Sequence, residues 1–126
     1  MKRQCFAAIC VILAGNVAWA EKFYGTLVSP VSGAGLPAAF EIRADGALDY
    51  CFQDVETNCY PLPLETLEAG AYRASVLNVR SVDGVETRHT NIWTWAPIDG
   101  GYHGRFEIQI EDGAPELKSE GDFFPR

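Results

Sequence analysis

The chain is short of the residue types that most chemistry requires. Its 126 residues include 2 histidines and 4 cysteines. His89 and His103 stand in no metal-ligand spacing such as H-x-x-x-H, so a zinc site would need both of them and a carboxylate gathered by the fold. There is no G-x-S-x-G elbow to mark a serine nucleophile. Asp-Gly pairs begin at Asp45, Asp83, Asp99 and Asp112, yet none belongs to a D-x-[DN]-x-[DN]-G calcium loop, and turn chemistry accounts for them. These absences point away from catalysis and from a metal or organic cofactor; none is expected. Positive charge is scarce too, with 10 basic against 17 acidic residues. No apolar run approaches the roughly twenty residues of a spanning helix.

What is present begins at the N-terminus. Lys2 and Arg3 precede an uncharged apolar run over residues 5–14, and Ala18 and Ala20 bracket Trp19 in an A-x-A-like cleavage site. This pattern predicts a secretory signal peptide over residues 1–20. Cys10 follows Ile9 inside the apolar run, so a lipoprotein anchor does not fit. The short basic region suggests a bacterial chain, and the expected destination is the periplasm or the medium. Cleavage leaves one domain, residues 21–126, long enough for one core. It carries 8 basic and 17 acidic residues, a net charge of −9. That charge disfavours nucleic acid and anionic membranes as partners and suits a basic protein.

Cleavage also leaves only Cys51 and Cys59. In an oxidising compartment they are expected to pair as a structural staple. Such a loop contributes about 2.5 kcal/mol by chain-entropy arithmetic. The spacing is not C-x-x-C, so a redox pair is not indicated.

Beta signals dominate. Strands are predicted over residues 23–28, 38–44, 47–52, 71–82, 85–97 and 102–111, with a short edge strand over residues 116–121. Residues 29–37 read as a loop. Residues 60–68 are Pro-rich and irregular, with one turn of helix near residues 64–67. A three-residue loop, Ala44-Asp45-Gly46, with Gly46 left-handed, pairs Ile42 with Leu48 and Phe40 with Tyr50. It gathers Phe40, Ile42, Leu48, Tyr50 and Phe52 on one buried face, which the alternative two-residue turn does not. In residues 102–111, Tyr102, Gly104, Phe106, Ile108 and Ile110 face in; His103 and Arg105 face out to solvent. About seven antiparallel strands indicate a Greek-key β-sandwich or, alternatively, a small β-barrel.

Two stretches carry a resemblance. Residues 24–28, Tyr-Gly-Thr-Leu-Val, and residues 32–42, Ser-Gly-Ala-Gly-Leu-Pro-Ala-Ala-Phe-Glu-Ile, resemble the opening of carboxypeptidase-regulatory-like, prealbumin-type modules. Residues 67–76, Leu-Glu-Ala-Gly-Ala-Tyr-Arg-Ala-Ser-Val, are similar to the family's "L-P-x-G-x-Y-x-V" strand entry. The likeness spans roughly half of residues 21–126. Thr57-Asn58-Cys59-Tyr60 stands where the family has "D-G-x-Y", and the disulfide loop is extra. The resemblance implies a seven-stranded Greek-key sandwich used for binding or spacing, and transfers no catalytic residues.

Trp93 and Trp95 are the sharpest candidate site, because residues two apart on a strand share a face. A two-residue turn at Asp83-Gly84 sets Trp93 against Ala74 and Trp95 against Tyr72, with Asn91 and His89 continuing the face. A three-residue loop sets Trp93 against Arg73, whose guanidinium would stack on it and leave an open face. The sequence leaves the two registers open. The candidate binding face is thus Trp93, Trp95, Tyr72, Arg73 and His89. The expected function is non-catalytic: an exported binding domain for a protein or glycan partner or, alternatively, a periplasmic inhibitor of a basic enzyme such as a lysozyme.

Overall fold

The computed structural model describes residues 21–126; the expected signal peptide, with Cys5, Cys10 and Trp19, lies outside the described residues. Nine strands follow one another: β1 (Lys22–Val28), β2 (Gly35–Ile42), β3 (Leu48–Phe52), β4 (Cys59–Leu62), β5 (Leu64–Thr66), β6 (Tyr72–Val82), β7 (Val85–Ile98), β8 (Gly101–Ile110) and β9 (Glu116–Pro125). They make one antiparallel sheet in the order β4-β3-β2-β1-β9-β8-β7-β6-β5. Every pairing joins strands adjacent in sequence except that of β1 with β9, and the sequence neighbours β4 and β5 stand at the two ends of the order. The sheet curls until it is nearly closed, with β4 and β6 approaching across the remaining gap.

The expected seven strands and two-sheet Greek-key arrangement are corrected accordingly. One reason is local. Residues 60–68, read as irregular, hold β4 and β5 on either side of Pro63. This bent segment pairs with β3 before the proline and with β6 after it. The helical turn comes later than expected, at Glu68–Gly70.

A second correction concerns β9. Charges over residues 116–121 suggest a short protected edge. The strand instead runs ten residues and is paired on both sides, with β1 and β8. Its alternation explains this. Phe123 is fully buried, while Glu120 and Asp122 find cross-strand partners on the outer face.

Both hairpin registers are now fixed. Ile42 opposes Leu48 and Phe40 opposes Tyr50, as the buried-face pattern predicts. The Arg43 and Ala47 backbones close the three-residue loop, and Gly46 takes φ +85°. The other hairpin turns on two residues, Asp83 (φ +52°) and Gly84 (φ +77°), so Trp93 opposes Ala74 and Trp95 opposes Tyr72. Two positive φ values define the primed turn whose twist matches a hairpin.

The core lies inside the curl and is aromatic. The Phe40 ring sits 4.7 Å from Trp95, 5.2 Å from Phe23, 5.3 Å from Tyr102 and 5.6 Å from Phe123. Five strands thus meet around one ring. Rings of this bulk need relief elsewhere. Gly104 supplies it, since a Cβ there would lie 2.7 Å from the Phe123 ring. At the β1–β9 junction a Cβ on Gly121 would run into the Thr26 carbonyl. Gly121→Ala is therefore expected to destabilise the fold by about 2–3 kcal/mol, as overpacking does. Urea unfolding measures it, and an unchanged midpoint would contradict the tight junction.

Candidate binding site

The inner face is not filled to its end. Toward the β6–β7 hairpin the strands line a half-open pocket of about 360 Å³. That volume is within the range of small-ligand sites, roughly 300–1,000 Å³. Tyr50 and Phe52 reach it from β3, Tyr60 and Leu62 from β4, Val76 and Asn78 from β6. Asn91 and Trp93 come from β7, Phe106 from β8 and Ser119 from β9, with Leu27 and Leu36 at the wall of β1 and β2. No side chain that lines it carries a charge.

Local sequence holds each wall in place. The inward set on β3 follows from its alternation, so Tyr50 and Phe52 point in while Cys51 points out. Cys51 and Cys59 oppose one another across β3 and β4, with Cα atoms 4.0 Å apart, and are disulfide-bonded as expected. This staple lies outside the sheet and pins the strand that carries Tyr60 and Leu62. Asn58 Nδ2 donates to the Phe52 carbonyl at 2.8 Å, and the Tyr60 hydroxyl donates to Asn58 Oδ1 at 3.0 Å. Aromatic faces then run continuously: Tyr50–Phe52 at 5.9 Å, Phe52–Tyr60 at 5.5 Å, Tyr50–Trp93 at 5.3 Å and Trp93–Phe106 at 5.1 Å. Burial pushes the Tyr50 phenol above its ordinary 10, which keeps it neutral.

The expected binding-face residues separate. Trp95 is 1% exposed and belongs to the core. Trp93 is half-buried and walls the pocket. Tyr72 shares their face deeper in, 6.1 Å from the Tyr102 ring, and does not line the pocket. Arg73 is on the outer face opposite Thr94, bound to Glu65 at 3.2 Å; its stacking on Trp93 is excluded by the register. His89 lies between Asn78 and Ile110, next to the pocket but not among its walls. Sequence reasoning did not mark Tyr60, Asn78 and Ser119. Their convergence depends on the curl, which no local pattern encodes.

The outer face holds one built polar cluster. His103 on β8 faces β9, with Nδ1 2.7 Å from Asp122 and Nε2 2.8 Å from Glu120. Both carboxylates accept, so both ring nitrogens must donate, which requires the imidazolium. Arg105 also approaches Glu120 at 3.5 Å. His103 faces solvent as its alternation implies, but it is an ion-pair centre rather than a free side chain. Among the described residues, no group of three or more His, Cys, Asp or Glu is arranged to hold a metal ion.

No family model matches this chain, and no curated protein or solved structure is found to be similar to it.

Hydrogen bonds to Asp122 and then Glu120 raise the His103 pKa above its ordinary 6.5. A raised folded-state pKa stabilises the protein fully below pH 6.5 and loses that contribution as pH climbs through the folded value. Thermal stability is expected to fall over that interval in the native chain and to fall less in His103→Gln. An equal fall in both proteins would contradict the role given to His103.

Proposed function

We propose that the protein is an exported, non-catalytic binding domain that takes an apolar group of a protein partner into the aromatic pocket. Export rests on the leader-like residues 1–20. The observation that carries the binding role is an uncharged cavity with aromatic walls and three polar side chains, Asn78, Asn91 and Ser119. A charged ligand would be desolvated there without a counter-ion. A sugar ring, with a hydroxyl on most carbons, would leave several of them unpaired against apolar walls. A tryptophan, phenylalanine or leucine side chain meets both limits.

The inhibitor reading draws on a different observation. Net charge −9 over residues 21–126 would speed encounter with a basic enzyme such as a lysozyme. Charge alone selects no contact residue, whereas the pocket does.

The test is a titration of the ¹⁵N-labelled domain with N-acetyltryptophan amide and, separately, with N-acetylglucosamine. The first is expected to shift the Trp93 indole and the Asn78 and Asn91 side-chain amides, and the second to leave them in place. Trp93→Ala should weaken the response at the two amides at least tenfold. The reading fails if N-acetyltryptophan amide leaves these signals in place.

A further inference from the structure

Beside the pocket the sheet is split, and the two edges of the split differ. β6 pairs with β7 over its whole length, from Tyr72 to Val82. On its other side β5 covers only Tyr72, Arg73 and Ala74. Ser75 still lies opposite Pro63, where β4 comes close to β6, and residues 76–82 beyond it have no paired neighbour on that side. In a two-residue hairpin the closing pair, here Val82 and Val85, exchanges both backbone hydrogen bonds, and such pairs then alternate along the ladder. Val82, Arg80, Asn78 and Val76 bond to β7. Leu77, Val79 and Ser81 direct their N–H and C=O groups into the gap, while Ser75 faces the Pro63 carbonyl at the end of the β5 ladder.

The facing edge is blunted. Phe52 N–H donates to the Asn58 carbonyl, which places Cys59 and Pro61 away from β3 and toward the gap. Pro61 has no N–H to offer, and Pro63 bends the chain just beyond it. Natural edges are protected with proline, charged side chains, bulges or shortness. The β6 edge, residues 76–82, has no proline and no lysine, and its one charged side chain is Arg80 at the hairpin end. Leu77 and Val79 stand 54% and 48% exposed along it.

The open edge and the pocket are continuous. Val76 and Asn78 belong to the same stretch and line the cavity, with Tyr60 and Leu62 across the gap. A strand laid beside β6, about 4.8 Å away, would alternate its side chains between the outer face and the pocket. Recognition by strand addition has this form: backbone bonds give affinity, and pockets for alternate side chains give specificity.

We propose that the free edge of β6 accepts an extended basic segment of a partner protein as an added strand, with one large apolar side chain of that segment seated in the pocket. The proposal rests on the pocket reading and adds the backbone contact to it. Charge decides the occupant. Two copies of a domain of net charge −9 repel each other, whereas a segment carrying lysine or arginine is attracted.

A nine-residue peptide tests this, with tryptophan at its centre, threonine at the other odd positions and lysine at the even ones. Calorimetry with the domain of residues 21–126 is expected to give micromolar binding. Replacing the tryptophan by alanine should weaken it at least tenfold. Two further peptides carry N-methyl groups on alternate amides, one in each phase. Only the phase that faces β6 should lose binding, again at least tenfold. Val79→Pro removes one donor from the open edge without breaking a bond to β7. It should weaken the peptide to the same degree while leaving the N-acetyltryptophan amide response intact.

Equal binding of both N-methylated peptides would overturn strand addition and leave the pocket reading standing, and this comparison uses the native domain alone. Strand addition also fails, with the pocket reading intact, if the peptide does not bind while N-acetyltryptophan amide still shifts Trp93. If neither binds, both readings fall. A dimer in sedimentation at micromolar concentration, dissociated by Val79→Pro, would replace the partner segment with a second copy.

Discussion

The pairing of the first strand with the last is the constraint on which everything else in the fold depends. β1 and β9 are joined from Phe23–Pro125 to Val28–Glu120, and every other pairing is between strands adjacent in sequence. Without that seam the chain is two meanders, β1 to β4 and β5 to β9. With it they become a single curled sheet that surrounds Phe40, Trp95 and Phe123. The seam is possible because Gly25 and Gly121 let the two backbones approach where a Cβ would collide with the Asp122 and Thr26 carbonyls. On its other side β9 is tied to β8, since Glu120 and Asp122 reach His103.

Much of the local structure was legible in the sequence. Asp-Gly turns, alternation and the rule that a slip flips every side chain gave the register of Phe40 against Tyr50. The cysteine arithmetic gave the Cys51–Cys59 bond. The fold class was readable as all-β for the same reasons. The curl was not, because it arises from a pairing between the two ends of the domain, Phe23 with Pro125 and Val28 with Glu120. Proline misled where it bends rather than breaks a strand: Pro61 and Pro63 made residues 60–68 read as irregular, although they close the sheet on both sides. Charge misled at β9, where acidic residues that resembled edge protection are cross-strand partners of His103.

The site shows the same division. Trp93 and Trp95 were recognisable as neighbours on one face, but their fates differ because the core ends between them. Trp95 lies among Phe40 and Tyr50, and Trp93 faces the space that the core leaves empty. Asn78 and Asn91 look like ordinary strand residues until the hairpin register turns them inward. The outer surface is strongly acidic and the pocket has no charge at all, so long-range attraction and short-range selection fall to different parts of the molecule. The disulfide joins the two, since it sits on the outer face and fixes the strand that carries Tyr60 and Leu62 into the pocket wall.

The open edge of β6 is the point where fold and proposed function meet, and native-state amide hydrogen exchange reads it directly. An open edge requires alternation: slow exchange at Val76, Asn78 and Arg80, whose N–H groups bond to β7, and fast exchange at Leu77, Val79 and Ser81. Uniform slow exchange across residues 76–82 would contradict it, because those amides would already have partners.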